Sequence, residues 1–426
     1  MYREEQLKSL IAGRRILIAG YGREGKSAEG LIKRLLPDAE YTVATQVENG
    51  KWKDPTDLWH GEWPFDMVIK SPGIPTFHFP HTSFHLTSLT DLFLQVYADL
   101  TIGVTGTKGK STTASLIHHL LPGSILAGNI GIPLFDILDE LREDSLVVAE
   151  LSCHQLEVLH RSPHIAVLLN LFQEHLDHYD DYLGYKMAKM QIALHQSTGD
   201  HFFYCTDNAE LLQLTSQVQQ DIAGTLHPYC LGDADAEESS LLQACPLAGT
   251  HNRSNALVAC RVAGLVTGRP VAGFRTLLSS FHGLRHRLEL VGTLHGITWY
   301  DDSISTIPAA AIAAVQALSR VDTLILGGFD RGIDYSPLAD FLAGHPVPCL
   351  VFVGQAGKRI HKALEARGAD GYSFLQEDDY TRIVPWCAKH TPLGGTVLLS
   401  PAAASYDAFK SFEHRGDFFA EQIHKL

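Results

Sequence analysis

The amino-acid sequence predicts an α/β protein built on parallel sheets. Short apolar runs alternate with helical patterns along the chain, which is typical of strand–helix units. Several of these runs are continuously apolar, as expected for strands that are buried on both faces. Two glycine-rich loops each follow such a run, and ligands of parallel sheets bind at the carboxyl ends of the strands. We therefore predict an α/β fold with phosphate-binding loops at those ends.

The predicted strands fall into successive groups along the chain. The earlier strands are RRILIAG (14–20), FDMVIK (65–70), LTIGVTG (100–106), SLVVAEL (145–151) and HIAVLLN (164–170). The later strands are GITWYDD (296–302), TLILGG (323–328), CLVFVG (349–354) and GTVLLS (395–400). Because 426 residues are too many for a single core, we predict three domains, at 1–95, 96–284 and 285–426.

Composition argues against several classes of protein. The chain is 45% apolar and 19% charged, which is typical of globular domains. A formal charge of −14 argues against a nucleic-acid partner. The seven cysteines form no C-x-x-C pair, so neither a disulfide framework nor a zinc knuckle is indicated. With no membrane-length apolar run and no secretory signal pattern, we expect a cytoplasmic protein without membrane insertion.

The first glycine turn is the stretch AGYGREGKS, residues 19–27. It matches the phosphate-loop pattern G-x-x-x-x-G-K-S, and its Gly20, Gly22 and Gly25 also satisfy G-x-G-x-x-G. The next predicted strand ends in Ser71, Pro72 and Gly73, with no acidic residue to hold a metal ion. We therefore expect the turn to seat a diphosphate on a helix N-terminus without metal.

Two alternatives to this interpretation of the first turn stay open. A G-x-G-x-x-G pattern alone also fits a plain tight turn. A dinucleotide site would need an acidic residue about 20 positions later. Asp38 and Glu40 lie close to that spacing, but they precede the next apolar run and do not end it.

The second loop, GVTGTKGKSTT, has the other parts of a triphosphate site. Val104 stands where the phosphate-loop pattern has its first glycine, but Gly109, Lys110 and Ser111 match the remaining positions, and Gly106 and Thr112 add a glycine and a hydroxyl to the loop. Backbone amides and the lysine neutralise phosphate oxygens, and the hydroxyl helps to hold Mg²⁺. The apolar run LVVAE ends in Glu150, where a metal-directed carboxylate is expected. We predict that ATP binds at this second loop.

Nine segments follow one another along nearly the whole chain, and they include the second glycine-rich loop. They are SPGIP (71–75), TGTKGKST (105–112), GNIGIP (128–133), ELSCHQLE (150–157), NLFQEHLDHY (170–179), HNRSNALVA (251–259), GLRHRLE (283–289), DDSIST (301–306) and LLSPAAASYDAFKSFEHRG (398–416). In this order and at comparable intervals, the segments resemble the Mur ligase family. Within it they resemble the members that add glutamate to UDP-N-acetylmuramoyl-L-alanine.

The resemblance implies three domains and a two-step reaction. The N-terminal and C-terminal domains would be Rossmann-like, and the central one would bind ATP. ATP would phosphorylate the substrate carboxylate, and the amine of the amino acid would then attack the acyl phosphate. The N-terminal domain would bind the UDP group through the residues Gly20, Gly22, Gly25, Ser71, Pro72 and Gly73, with Asn129 from the central domain.

The same resemblance assigns nucleotide, metal and catalytic residues. The nucleotide would contact Gly106, Thr107, Lys108, Gly109, Lys110, Ser111, Thr112, Asn252, Asn255, Arg287 and Asp302. Two Mg²⁺ sites would use Ser111, Glu150, His175 and Lys189, the last as a lysine carbamylated by CO₂. The catalytic residues would be Lys110, Glu150, His175, Lys189 and Arg287. An ordinary surface lysine is the alternative for Lys189, with Lys186 one turn away.

The amino-acid pocket is where this chain departs from the family. The implied pocket residues are Thr306, Arg331, Ser405, Tyr406 and Phe412. The family pattern D-S-K-A-T is replaced by Asp-Ser-Ile-Ser-Thr at 302–306, which loses a lysine, and Arg331 stands for a second lysine. We expect glutamate as the amino acid, in the D form by family default, with L-glutamate as the alternative.

Several rival functions are compatible with parts of the pattern. Within the ligases they are the folylpolyglutamate synthases and the Mur ligases for other amino acids, which share the ATP loop. From other classes they are a phosphate-loop switch or transport ATPase, and an NAD-dependent oxidoreductase. Phosphate release with and without the acceptor carboxylate separates these functions. We expect a monomer.

Overall fold

The computed structural model describes most of the chain, and the described residues are 2–44, 64–76, 79, 84–130, 132–174, 178–179, 181–247, 249–281 and 283–426. They divide into two compact units, Met1–Phe281 and His282–Leu426. The predicted metal residue His175 lies outside the described residues.

The first unit begins with a four-stranded parallel sheet, the first sheet, in the order β2-β1-β3-β4. Its strands are β1 (Ile16–Ala19), β2 (Tyr41–Ala44), β3 (Met67–Lys70) and β4 (His85–Thr87). Its helices are α1 (Tyr2–Ile11), α2 (Arg23–Leu35) and α3 (Leu89–Tyr97). Strands β1 and β3 are fully buried, in keeping with their continuous apolar sequences.

The central sheet of the first unit has six parallel strands, in the order β10-β9-β8-β5-β7-β6. Its strands are β5 (Thr101–Thr105), β6 (Ile125–Gly128), β7 (Val147–Glu150), β8 (Ile165–Leu168), β9 (His201–Cys205) and β10 (Thr225–Tyr229). Its helices are α4 (Lys110–Leu120), α5 (Cys153–Leu156), α6 (Tyr182–Leu194), α7 (Ala209–Val218), α8 (Ala236–Leu242), α9 (Thr250–Thr267) and α10 (Arg275–Ser279). Because β5 lies between β7 and β8, the loop after β5 is flanked by the ends of both neighbours.

The second unit is built on the C-terminal sheet, in the order β11-β12-β16-β13-β14-β15. Its strands are β11 (Glu289–Leu294), β12 (Ile297–Asp301), β13 (Thr323–Gly327), β14 (Cys349–Val353), β15 (Ser373–Gln376) and β16 (Thr396–Leu399). Its helices are α11 (Pro308–Ala317), α12 (Ser336–Gly344), α13 (Gly354–Glu365), α14 (Tyr380–His390) and α15 (Phe412–His424). Only the β11–β12 pair is antiparallel. Successive residues of β13 pack into different cores, Leu324 into one and Ile325 into the other.

The three sheets confirm the predicted α/β class, and every predicted strand contains an observed one. The three-domain boundaries stay a prediction, since the structure separates two units and residue 95 lies inside α3. Within the described ranges, no individual helix has both the length and the apolar character to cross a membrane. One bent pair, Thr250–Thr267 with Val271–Ser279 at 107°, passes the same test by length and composition.

Candidate active site

The phosphate loop, residues 106–112, connects β5 to the first turn of α4. Gly106 and Gly109 have φ values of 153° and 86°, which favour glycine. Asn170, which follows β8, binds the loop through both polar atoms of its side-chain amide. Its Oδ1 accepts from the backbone N–H of Lys108 at 2.8 Å, and its Nδ2 donates to the Lys108 carbonyl at 3.0 Å. The loop is therefore fixed by the neighbouring strand as well as by its glycines.

Two lysine ammonium groups meet at the carbonyl of Gly106. Lys110 Nζ donates to Gly106 O at 3.0 Å and to Thr107 O at 2.9 Å. Lys189 Nζ, from α6, donates to Gly106 O at 2.9 Å and lies 5.0 Å from the centre of the Tyr185 ring. Burial lowers the pKa of Lys189 to about 8. The structure therefore places Lys189 at the phosphate loop, whereas Lys186 is ion-paired with Glu210.

Glu150 ends β7 beside this loop and is buried. Its Oε1 accepts from Asn129 Nδ2 at 2.8 Å, while its Oε2 is buried with no hydrogen-bond partner among the described residues. A buried carboxylate oxygen left unpaired costs free energy unless a cation or proton takes it up. Ser111 is buried in the first turn of α4 and contributes a hydroxyl. These hard oxygen donors fit Mg²⁺.

The two asparagines predicted to contact the nucleotide, Asn252 and Asn255, lie on α9, one turn apart. Asn255 is buried against the phosphate loop, because a methyl group added at Gly109 would lie 2.9 Å from its Oδ1. Asn255 Nδ2 donates to Asn252 Oδ1 at 3.5 Å. Helix α9 therefore brings both side chains to the start of α4, next to the loop. Thr112 is half-buried at this end of α4.

The first glycine turn has the geometry of a strand–turn–helix unit without a wide phosphate loop. Gly20 has φ of 93°, and a methyl carbon added there would lie 2.5 Å from Ser71 Oγ. A methyl carbon at Gly25 would overlap the carbonyl oxygen of Gly20. Both glycines thus permit close backbone approach, and Gly22 is the N-cap residue of α2.

A cavity of about 300 Å³ lies beside this turn, and we call it the glycine-turn cavity. It is lined by Gly22, Arg23, Glu24, Ser71, Pro72, Gly128, Asn129, Pro133 and Gln155. Four of the predicted substrate residues therefore share one cavity, while Gly20, Gly25 and Gly73 do not line it. Gln155 Nε2 donates to Glu24 Oε1 at 2.8 Å, and burial raises the pKa of the Glu24 carboxyl.

Lys26 and Ser27, the lysine and serine of the strict pattern G-x-x-x-x-G-K-S, do not line the glycine-turn cavity. Ser27 Oγ donates to Asp136 Oδ1 at 2.7 Å, and Lys26 and Ser27 line a different cavity, of about 430 Å³. Among the described residues, no acidic side chain at the end of β3 accompanies them, since Lys70 ends that strand and is ion-paired with Glu157 at 2.7 Å. The turn therefore lacks the parts that hold a metal-bound triphosphate.

The predicted amino-acid pocket residues lie on strand-end loops of the second unit. Arg331 Nη2 donates to the carbonyl of Thr306 at 2.9 Å, which joins the loop after β13 to the loop after β12. Ser405 is buried, whereas Tyr406 is 67% exposed. The carbonyl of Phe412 accepts from Ser303 Oγ at 2.8 Å. The structure thus links Thr306 to Arg331 directly and Phe412 to the 302–306 segment.

The predicted nucleotide contacts of the second unit differ in exposure. Arg287 is exposed. Asp302 is buried, accepts from Leu288 N at 3.1 Å and Ser400 Oγ at 2.6 Å, and has its pKa raised to about 6 by burial. In this structure Asp302 therefore joins the segments of Leu288 and Ser400 through hydrogen bonds. The neighbouring His286 is buried and its Nδ1 lies 2.7 Å from Asp301 Oδ2.

Sequence reasoning missed three residues that shape these sites. Asn170 fixes the phosphate loop, and its signals are its place at the end of an apolar strand and at the start of the segment NLFQEHLDHY, neither of which assigned it a role. The Tyr185 hydroxyl lies 2.8 Å from Thr107 Oγ1, and nothing in the sequence indicates that contact. Gln155 reaches Glu24 from a segment that was recognised only as a motif.

Comparison with known proteins identifies the family of the chain. The family model of the Mur ligase middle domain matches residues 104–263. The UDP-N-acetylmuramoyl-L-alanine–L-glutamate ligase of Salinispora tropica is 33% identical, over 97% of this chain and 98% of its own length. The UDP-N-acetylmuramoylalanine–D-glutamate ligase of Ligilactobacillus salivarius is 30% identical, over 97% of each chain.

A solved structure, the MurF ligase of Thermotoga maritima in complex with ADP, superposes with a TM-score of 0.54. It is 15% identical and the match covers 96% of this chain and 95% of that one. This likeness supports the fold, and the two full-length relatives establish the relationship. The chain belongs to the Mur ligase family, in the group of the UDP-N-acetylmuramoylalanine–glutamate ligases.

Proposed function

We propose that this protein is an ATP-dependent ligase that joins glutamate to UDP-N-acetylmuramoyl-L-alanine and releases ADP and phosphate. One observation carries the proposal most directly. Asn129 lines the glycine-turn cavity and also donates to Glu150, whose second oxygen is unpaired beside the phosphate loop. Asn129 would therefore lie between a UDP-linked substrate in the cavity and a triphosphate on the loop.

The residues of the phosphate loop supply positioning and charge neutralisation. Lys110 would turn from the carbonyls of Gly106 and Thr107 to the β- and γ-phosphates of ATP. Glu150 Oε2 and Ser111 Oγ are the atoms that would hold Mg²⁺, which neutralises phosphate oxygens when bound. Phosphorylation of the substrate carboxylate converts it into an acyl phosphate, and phosphate then leaves when the amine attacks.

The assignment of Lys189 as a carbamylated metal ligand rests on its burial and position. CO₂ reacts with a neutral amine, and a pKa of about 8 leaves part of this amine neutral near physiological pH. The carbamate would replace a cation by an anion next to Glu150 and Lys110. The metal role of His175 and the nucleotide roles of Arg287 and Asp302 stay predictions from the family resemblance.

A specific observation favours L-glutamate as a second candidate for the amino acid. Ile304 stands where the family has a lysine, and Arg331 stands for another. An apolar side chain cannot hold a carboxylate, so the two carboxylates of glutamate must be bound differently from the family default of the D form. The relative from Salinispora tropica is named as an L-glutamate ligase, and the one from Ligilactobacillus salivarius as a D-glutamate ligase.

The test is phosphate release by the purified protein with ATP and Mg²⁺, with and without UDP-N-acetylmuramoyl-L-alanine, and with D- or L-glutamate. We expect release only when acceptor and one enantiomer are both present. Lys110→Ala should lower turnover about 100-fold or more and leave binding of the UDP substrate unchanged, because Lys110 does not line the glycine-turn cavity. Release without the acceptor would indicate an ATPase, and inactivity with both enantiomers would exclude glutamate.

The biological setting follows from this reaction. A ligase of this specificity acts in the assembly of peptidoglycan precursors, and so in cell-wall formation and division. A cytoplasmic location and a monomeric state belong to the same proposal. The acceptor is a soluble nucleotide sugar and ATP is supplied in the cytoplasm, which supports the location.

A further inference from the structure

Arg415 is the one arginine of the second unit that is almost completely buried, with 1% of its surface exposed. It lies in the first turn of α15, and its guanidinium points to backbone and hydroxyl oxygens. Nε donates to Ser303 Oγ at 2.9 Å, and Nη2 donates to the carbonyls of Ser303 at 2.8 Å and Ala403 at 3.1 Å. Nη1 donates to the Ala404 carbonyl at 3.2 Å.

These partners belong to the loops that carry the predicted amino-acid pocket. Ser303 follows β12 and lies three residues before Thr306, while Ala403 and Ala404 follow β16 and directly precede Ser405. A third loop, after β13, approaches the same guanidinium. A methyl carbon added at Gly328, where φ is 137°, would lie 3.1 Å from Arg415 Nη1. One side chain therefore bonds to two strand-end loops and lies beside a third, which continues to Arg331.

Burying the charged guanidinium of Arg415 costs free energy, so an arginine at this position calls for an explanation. Across residues 283–426, no ion pair joins Arg415 to a carboxylate, so the oxygens that accept its hydrogen bonds are all uncharged, and Asp301 and Asp407 act on it only through space. A buried charge without a carboxylate partner is expensive. The planar fork of arginine reaches several acceptors at fixed angles, whereas a lysine ammonium reaches one point. Neutral side chains would fill the same space more cheaply but would not hold the loops in this arrangement.

We propose that Arg415 is a positioning residue for glutamate, which fixes the 302–306 and 400–406 loops so that Thr306, Ser405 and Arg331 present one pocket. The inference rests on the proposed function and adds a determinant of amino-acid binding to it. Arg415 does not touch the amino acid, because its hydrogen bonds are all directed to the loops. Its loss should therefore weaken glutamate binding and leave the phosphate loop and the glycine-turn cavity, which lie in the first unit, unaffected. Asp302, a predicted nucleotide contact on the same loop, is held by Leu288 N and Ser400 Oγ and not by Arg415, so we expect ATP binding to be retained.

The test measures the KM values for glutamate, ATP and the UDP substrate in Arg415→Lys. We expect the KM for glutamate to rise about tenfold or more, because hydrogen bonds to a charged group are lost, and the other two KM values to change by less than about twofold. Ser303→Ala removes only the hydroxyl link and should raise the same KM less. Arg382→Lys, at an arginine whose side chain is 74% exposed, is the matched control and should change nothing.

A second measurement separates positioning from mere stability. Guanidinium ion, at concentrations far below those that unfold proteins, should lower the KM for glutamate of Arg415→Ala and have no such effect on Arg382→Ala. If Arg415→Lys does not fold, the KM for glutamate of Ser303→Ala and the effect of guanidinium ion on Arg415→Ala still test the inference. An unchanged KM for glutamate in every folded variant, or a uniform rise of all three KM values, would overturn the inference. Wild-type protein without glutamate-dependent phosphate release would overturn the proposed function as well.

Discussion

At the scale of single residues, Lys189 gives a direct test of the metal chemistry. Its buried ammonium has a pKa of about 8, so the neutral amine that CO₂ needs becomes more abundant as pH rises through that value. We expect activity to fall when CO₂ is removed and to return with bicarbonate. Lys189→Ala should lose at least about 10- to 100-fold in activity, since losing even a residue that only orients a metal ligand has that effect, and short carboxylic acids should restore part of it.

Lys186→Ala is the control for this experiment. Lys186 lies on the same helix but pairs with Glu210 at 3.0 Å, away from the loop, and its loss should leave activity within about twofold. The rates are measured by phosphate release in buffers with and without bicarbonate. Full activity of Lys189→Ala, or indifference of the wild type to CO₂, would rule out a carbamate at this position.

Residue identities were predictable where a motif fixes the backbone, and less so where the fold brings distant residues together. The glycines at 106 and 109 and the carboxylate at 150 follow from spacing after a strand. Asn170 and Tyr185 do not, because their contacts with the phosphate loop span 62 and 78 positions of sequence. The exposure of Arg331 and the burial of Arg415 likewise depend on which loops meet.

At the scale of elements, helix α2 permits a matched pair of glycine substitutions. A methyl group at Gly25 would overlap the carbonyl of Gly20, whereas one at Gly30 meets nothing within 4 Å. Gly25→Ala should destabilise the protein by about 1–3 kcal/mol, the usual cost of forced overpacking. Gly30→Ala should stabilise it by about 0.5–1 kcal/mol, because alanine is the better helix former.

Chemical denaturation of both variants measures these free energies of unfolding, and binding of the UDP substrate should weaken only in Gly25→Ala. A Gly25→Ala protein as stable as the wild type would show that the turn adjusts. That result would contradict the close packing of Gly25 against Gly20 in this strand–turn–helix unit.

The same scale explains which strands the sequence pattern predicted. Interior strands such as β5, β8 and β13 are buried along their length, so their sequences are continuously apolar. The edge strands β2, β10, β11 and β15 are mostly half-buried or exposed, and their mixed sequences resemble loops. The strict phosphate-loop pattern at 20–27 did not by itself identify the triphosphate site. The neighbouring strand was the better guide, because its last residue decides whether a carboxylate lies beside the loop.

At the scale of the whole molecule, the two sheets of the first unit share one large apolar core, and smaller clusters lie around Val68 and around Tyr185. Ile16 and Met67 of the first sheet belong to the same apolar cluster as Ile102 and Val104 of the central sheet. The alternation of apolar runs and helical patterns predicts the strands and the α/β class, but it does not reveal that the two sheets pack against one common core. The predicted division at residues 95 and 96 falls inside α3, where the Phe93 and Tyr97 rings stack at 4.9 Å.

This continuity predicts how fragments of the chain behave. A fragment of residues 1–281 should fold and bind ATP, seen as a rise of its unfolding temperature with Mg²⁺ and ATP. It should show no glutamate-dependent phosphate release, because Thr306, Arg331 and Ser405 are missing. A fragment of residues 282–426 should fold alone, since it contains a whole sheet with a core on each face.

Cutting the first unit at the predicted domain boundary is the contrasting experiment. Separate fragments 1–95 and 96–281 would each expose apolar surface that the other covers, for example where the Phe93 and Phe135 rings lie 5.9 Å apart. We expect both to unfold at lower temperature than the 1–281 fragment, as measured by circular dichroism. If 96–281 proved as stable as 1–281 and bound ATP equally well, the two sheets would be independent domains, and the shared core would contribute nothing to stability.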